Sequence, residues 1–468
     1  MNPIEIISLE FLILTLVTAS VYIVLSPRAQ IIWLLGVSYF FYATWSVWYV
    51  AVLLVFTTLN HLLAGQIERS RSRILLSIGI LINTGSLVSL KFLTGPYGAN
   101  LVERMGISTL TGILLPVGFS FYVLQVISYL IDVYRGQVEA EKDFLQFALY
   151  LAYFPKMLAG PIERAKNFLP QLKHERTVDR EIVEQGIYLI LLGLLRKVII
   201  ANHLSNLLPT DIFSSPEAFT SLERATWLLV FAFILYNDFA GYTSIVRGIS
   251  FLLGIRLSPN FRQPFLARSF SDFWARWHIT LSEWLRDYVF YPVRRGLMQA
   301  RGSHWIALAL PSMVTMLVSG FWHGASLALL FWGFLHGMYL VLEQVLLQFR
   351  VLPAAGRKAA FYSVVVFILV TLAWIPFNTP SLRATGRYLS GFLPSYSASF
   401  ELLVLPDLLL LIFFSLWLDW QEQYHGDLAF PRKWSVARQS WSVAALIVLL
   451  VLFSSTGIDL SRFVYEFF

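Results

Sequence analysis

Residues 303–342 read SHWIALALPSMVTMLVSGFWHGASLALLFWGFLHGMYLVL, 40 residues without one Asp, Glu, Lys or Arg. A helix crossing the hydrocarbon core of a bilayer takes about 20 mostly apolar residues. The stretch is therefore long enough for two spans, and it makes the chain an integral membrane protein. Further uncharged runs occupy 11–27, 29–67, 74–90, 359–382 and 439–458, and 29–67 again has room for two spans. Shorter or broken candidates lie near 108–131, 144–162, 183–201, 225–255 and 402–418. The sum is about 11 transmembrane or re-entrant helices. No series of alternating segments argues for a β-barrel. No internal repeat or low-complexity tract divides the chain, which reads as one all-α polytopic domain over 1–468.

Composition agrees. The chain is 57% hydrophobic and 13% charged, with mean hydropathy +0.66, where a soluble domain carries about 25% charged residues. Outward-facing apolar side chains are tolerated by lipid. With no cysteine, disulfides, thiolate metal sites and a cysteine nucleophile are excluded. The net charge of +7 reads as positive-inside bias rather than a nucleic-acid footprint. Glu5 and Glu10 precede the first apolar run without a basic region, so that run is expected to be a retained span and not a cleaved signal. Basic loops at Arg28, at Arg69, Arg71 and Arg73, between Lys156 and Arg180, and over 256–301 are expected on the cytoplasmic side, with the N-terminus outside.

The segment 269–292 is too charged to span lipid, yet Phe270, Phe273, Trp274, Trp277, Leu281, Trp284, Leu285 and Tyr288 recur at helical spacing. This predicts an amphipathic helix at the membrane interface, capped by Ser269 or Ser271 and ended by Pro292.

Most of the eight histidines (His61, His174, His203, His278, His304, His323, His336 and His425) fit as helix residues whose ring nitrogen bonds a carbonyl. His323 stands out. It lies deep in the 303–342 run, flanked by Gly320, Gly324, Ala325 and Ser326. An ionisable group there costs a few kcal/mol unless it pairs or lines a cavity. The small neighbours serve close helix packing or leave room for a substrate. His278 sits in the amphipathic segment. Asp238, within Tyr236-Asn237-Asp238, must be hydrogen-bonded if buried, either orienting a catalytic group or tying helices together. Signatures of serine hydrolases, phosphate-binding loops and zinc peptidases are absent.

Several stretches together resemble a known family. These are Leu115-Pro116-Val117-Gly118-Phe119-Ser120-Phe121-Tyr122, Tyr129 to Gly136, Phe154-Pro155 with Ala159-Gly160-Pro161-Ile162, Asp238-Phe239-Ala240-Gly241-Tyr242 and Asn260-Phe261. The strongest run is Phe273-Trp274 with Arg276-Trp277-His278, followed by Trp284-Leu285-Arg286-Asp287-Tyr288. Phe321-Trp322-His323-Gly324-Ala325-Ser326 and Leu335-His336-Gly337 close the set. Their order and spacing over about 115–340 resemble the membrane-bound O-acyltransferases, in particular the bacterial alginate O-acetyltransferase branch.

The resemblance implies a helical bundle around a catalytic tunnel, a catalytic role for His323, and a second signature histidine at His278. Asp238, Trp274, Arg276, Trp277, Arg286, Asp287, Tyr288, Trp322 and Ser326 are the expected tunnel or supporting residues. It further implies a thioester donor such as acetyl-CoA or an acyl carrier, a polysaccharide acceptor reached through an extracytoplasmic acetyltransferase partner, and a multi-pass place in a bacterial inner membrane. Teichoic-acid D-alanylation, a lipid or small-glycan acceptor, an inactive scaffold and a transporter are the competing readings.

Overall fold

The computed structural model describes residues 3–94, 116–173, 178–300, 303–352, 356–392 and 405–454, and every regular element among them is a helix. Leu115, His174 and Arg301, used above, lie outside the described residues. Seven helices are long and apolar enough to cross a bilayer: Val47–Ser70, Arg73–Leu93, Arg180–Leu207, Ser221–Leu252, His304–His323, Leu327–Gln348 and Arg357–Asn378. Leu9–Ile23, Phe119–Tyr134 and Val436–Leu450 are apolar but shorter. The class is thus an all-α polytopic membrane protein, with seven clear spans among the described residues against the roughly 11 segments expected. Apolar side chains face outward where lipid would lie: Val47 is 73% exposed, Phe361 71% and Trp441 78%.

Both long uncharged runs divide into two helices, and a serine restarts the chain each time. Ser46 accepts the Trp48 amide at 3.3 Å to begin Val47–Ser70. Ser326 accepts the Leu329 amide at 3.2 Å to begin Leu327–Gln348. Each cap satisfies an orphan donor at a helix start.

The chain sorts into two compact units, Met1–Leu191 with Tyr242–Pro259, and Leu192–Gly241 with Asn260–Asp459. In the first, the expected segment 144–162 is not one helix. Phe144–Ala152 stops and the chain turns through Phe154–Lys156 into a buried loop. The Lys156 ammonium is buried there, bonded to Gln125 and to the Tyr150 carbonyl at 2.6 Å. Glu163 accepts from the Ser258 amide and, at 3.2 Å, from its hydroxyl. Pro155 and Pro161 cannot continue a helix, and the two charged groups are satisfied by loop partners.

The second unit holds the two histidines singled out above. Here the amphipathic helix expected over 269–292 is broken. Phe270–Trp274 ends, a turn follows, and Ile279–Leu285 begins, with His278 between them at φ +41°. Ser269, not Ser271, caps the start, accepting the Asp272 amide at 3.0 Å. Pro292 does not end the segment. It lies inside a helical run that continues from Ile279–Leu285 through the π-helical Arg286–Phe290 into Tyr291–Gln299, directly after a stretch where the regular hydrogen-bond ladder is already interrupted.

Candidate active site

His323 is the last residue of His304–His323, followed by an extended Gly324. The helix packs tightly on its successor. A Cβ at Gly320 would stand 2.3 Å from the Leu329 carbonyl oxygen, and one at Gly333 would stand 2.3 Å from that of Met316. Gly320 therefore serves backbone contact rather than open volume. Ser326, expected in the tunnel, is the cap of Leu327–Gln348.

The His323 ring is buried among aromatics, with centroids at 4.8 Å from Trp322, 5.2 Å from Trp332 and 5.1 Å from Phe377. On Trp332 also lies His336, at 4.9 Å, so one indole bridges the two imidazoles. His336 is fully buried and packs against Trp274 at 5.1 Å and Tyr339 at 5.7 Å.

The polar atoms of this aromatic cluster are unusual. Both ring nitrogens of His336 and the indole nitrogens of Trp274, Trp332 and Trp374 are buried with no hydrogen-bond partner among the described residues. Nearby in sequence, Ser319 and Thr371 have buried hydroxyls in the same condition. Leaving such a group unsatisfied costs about 1–3 kcal/mol, so the lining suits a polar occupant.

His304–His323 carries a polar stripe toward this cluster. Ser312, Thr315, Ser319 and His323 recur at helical spacing on its buried face. At 1.5 Å per residue, the stripe from Ser312 to His323 runs about 16 Å. Its Ser312 end borders a cleft of about 290 Å³. Glu283 and Arg286 line the exposed part of that cleft, and Trp274 and Met316 the buried part. Trp274 thus touches both the cleft and His336.

His278 stands to one side, with its ring 4.9 Å from Phe239 and 6.1 Å from Trp322. Asn260 holds its left-handed backbone. The Asn260 carbonyl accepts the Ile279 amide at 2.9 Å, and its Oδ1 accepts the Thr280 hydroxyl at 2.6 Å. Burial pushes the His278 ring down to about 3, keeping it neutral. Trp277 joins the cluster through Phe273 at 5.6 Å and Trp374 at 5.0 Å.

Other expected site residues lie elsewhere. Arg276 pairs with Asp272 at 2.7 Å at a partly exposed position. The Arg286 guanidinium pairs with Asp287 at 3.1 Å, half exposed, and reaches the site only as cleft lining. Tyr288 packs on Trp284 at 5.3 Å. Asp238 is the buried counterion of Lys197.

Beside that pair is a larger buried network. Arg196 binds Asp419 at 2.7 Å and Glu422 at 3.0 Å. Tyr236 donates to Asp419 at 2.7 Å, and Gln263 donates to Glu422 at 2.9 Å. Arg196 and Lys197 lie in a π-helical stretch, Leu195–Asn202. Sequence reasoning missed Arg196, His336, Trp332, Trp374 and Phe377 as a group. One signal was available for part of it: Trp332 and His336 stand four apart in an uncharged span, on one helix face.

The described helices thus hold a buried histidine at one end of a polar stripe whose other end borders a cleft. The chain matches the membrane-bound O-acyltransferase family over residues 140–379. It is 33% identical to a probable alginate O-acetylase of Pseudomonas syringae pv. tomato, over 78% of this chain and 70% of that one. It is 29% identical to a peptidoglycan O-acetyltransferase of Helicobacter pylori, over 78% and 74% of the two chains. With a teichoic acid D-alanyltransferase of Streptococcus thermophilus it shares 29% identity over 52% and 60%. The chain belongs to the membrane-bound O-acyltransferase family and is an O-acyltransferase.

Proposed function

We propose that this enzyme moves acetyl groups from a cytoplasmic thioester, such as acetyl-CoA, to a hydroxyl destined for an exported or cell-surface polysaccharide, in a bacterial inner membrane. The observation that supports this reading is the set of partnerless polar atoms on Trp332 and His336, rings that pack between Trp274 of the Arg286 cleft and His323.

In this reading the thioester arm enters at the cleft and lies along the Ser312–Ser319 stripe. The basic residues Arg286, Arg294 and Arg295 favour an anionic donor there. Neutral His323 takes the proton from the acceptor hydroxyl, whose oxygen attacks the thioester carbonyl. The carbonyl oxygen becomes an oxyanion, and N–H groups of His336, Trp332 and Trp374 are the donors at hand to receive it. Collapse forms the ester and expels the thiolate, which recovers the proton from His323. His278 is a positioning residue that holds Trp322 against His323. An extracytoplasmic partner protein accepts or relays the acetyl group, consistent with relatives named for alginate and peptidoglycan acetylation.

The test is the identity of the acyl group. Cells expressing the chain are treated with mild alkali, and ester-linked groups released from surface glycans are quantified. Acetate released above the level of cells lacking the chain supports the reading. D-alanine in place of acetate would move the enzyme to the teichoic-acid type.

A further inference from the structure

A second cavity lies in the same unit and shares no lining residue with the Arg286 cleft. It is a groove of about 710 Å³ bordered by the Ser221–Leu252, Arg357–Asn378 and Leu405–His425 helices. Leu229, Phe233, Phe265, Ala360, Phe367 and Leu416 form much of its wall. Ala360 and Val364 are exposed, so the groove opens outward along Arg357–Asn378, a helix long and apolar enough to cross a bilayer.

The charged member of the lining is Arg268, and no carboxylate lines the groove among the described residues. Phe265 packs on Phe367 at 5.4 Å and Phe270 on Tyr362 at 6.3 Å. Arg268, between them in sequence, therefore lies alongside the first half of Arg357–Asn378. That helix begins with exposed Arg357 and Lys358, directly after Gly356 in the lining. The nearby Asp272 does not neutralise this end, since it takes the Arg268 amide at 2.8 Å and the Arg276 guanidinium. Three cations thus edge an apolar groove at a helix end that the positive-inside rule assigns to the cytoplasmic leaflet. Basic pockets between spans on that side recognise anionic lipid headgroups.

We infer that the groove is a binding site for one anionic glycerophospholipid, with acyl chains along Phe233, Phe265 and Phe367 and the phosphate at Arg268. This does not depend on the acyl-transfer reading, and its test uses no activity.

The purified full-length chain in detergent is titrated with phosphatidylglycerol, or with phosphatidylethanolamine of the same acyl chains, and bound lipid is counted by native mass spectrometry. Wild type should retain one phosphatidylglycerol in preference to phosphatidylethanolamine. Arg268→Gln should lower that retention about fivefold, as expected for one basic side chain near a headgroup, and Arg268→Lys should restore most of it. Ala360→Trp, at an exposed position, should fill the groove and displace both lipids. Equal retention of the two lipids by wild type, or full retention by Arg268→Gln, overturns the inference. So does a dimer that Ala360→Trp dissociates, because a second copy would then be the occupant.

Discussion

Arg196 and His336 are both buried in the same unit, and they differ in what surrounds them. Arg196 meets two carboxylates, and each of those carries a further donor from Tyr236 or Gln263. His336 meets only rings, and neither of its nitrogens has a partner among the described residues. A buried charge network is tolerable only when nearly saturated. Arg196 sits in one that is nearly so, with Asp419 Oδ2 its buried oxygen left without a partner among the described residues, and such a network suits helices that must not move. Unsatisfied polar groups weaken a fold and persist where something else completes them. The lining around His336 has that character, which the proposed substrate role would account for.

The comparison can be broken from either side. The largest effect is expected at the Arg196 network. Arg196→Met leaves Asp419 and Glu422 buried without their cation and should cost about 3–5 kcal/mol, read as a lower melting temperature in detergent and reduced membrane level. A variant as stable as wild type would show that the network does not hold the helices. His336→Phe should do the opposite. It removes partnerless polar atoms for a ring of similar shape, so stability should change by less than about 1 kcal/mol. Turnover should fall about 10²-fold, the usual loss for one oxyanion donor. Lost folding with intact specific activity would reverse the assignment of the two regions.

A smaller effect concerns pH. Burial holds His278 down to about 3 in the folded chain, against about 6.5 when unfolded. Below pH 6.5 the unfolded state binds a proton that the native state refuses, so stability falls with pH through that window. The slope is about 1.4 kcal/mol per pH unit. Melting of wild type should decline between pH 6.5 and 5.5 by more than that of His278→Asn, and parallel curves would contradict it. The smallest effect is expected at the surface. Arg276→Gln breaks a partly exposed pair with Asp272 and should shift stability by at most about 1 kcal/mol. A larger loss would give Arg276 a role its exposed pairing does not explain.

Much of this was legible in the sequence for definite reasons. Uncharged runs long enough to span lipid declare helices without any knowledge of packing, whereas the restarts at Ser46 and Ser326 came only with the structure. His323 was visible because an ionisable ring inside such a run is conspicuous. The broken helix at His278 was not, since Ala275-Arg276-Trp277-His278 holds neither glycine nor proline and the apolar spacing runs straight through it. The break depends on Asn260, a residue from another part of the chain. Arg196 was hidden for the same kind of reason. Its partner Asp419 is 223 residues away, and no local pattern announces such a pair. The Lys197 partner of Asp238, 41 residues away, was likewise not announced by any local pattern. Arg286, a tunnel or supporting residue by resemblance, lines the cleft that the Ser312 stripe borders.

The most direct test of the account is His323→Ala, with ester-linked acetate on surface glycans and melting temperature in detergent measured on the same preparation at matched membrane levels. A base of this kind contributes about 10²–10⁴ in rate. The account predicts acetate near the level of cells lacking the chain, with melting unchanged within a few degrees. Acetate at the wild-type level would contradict it, because the polar stripe and cleft would then lead to a residue the reaction does not need.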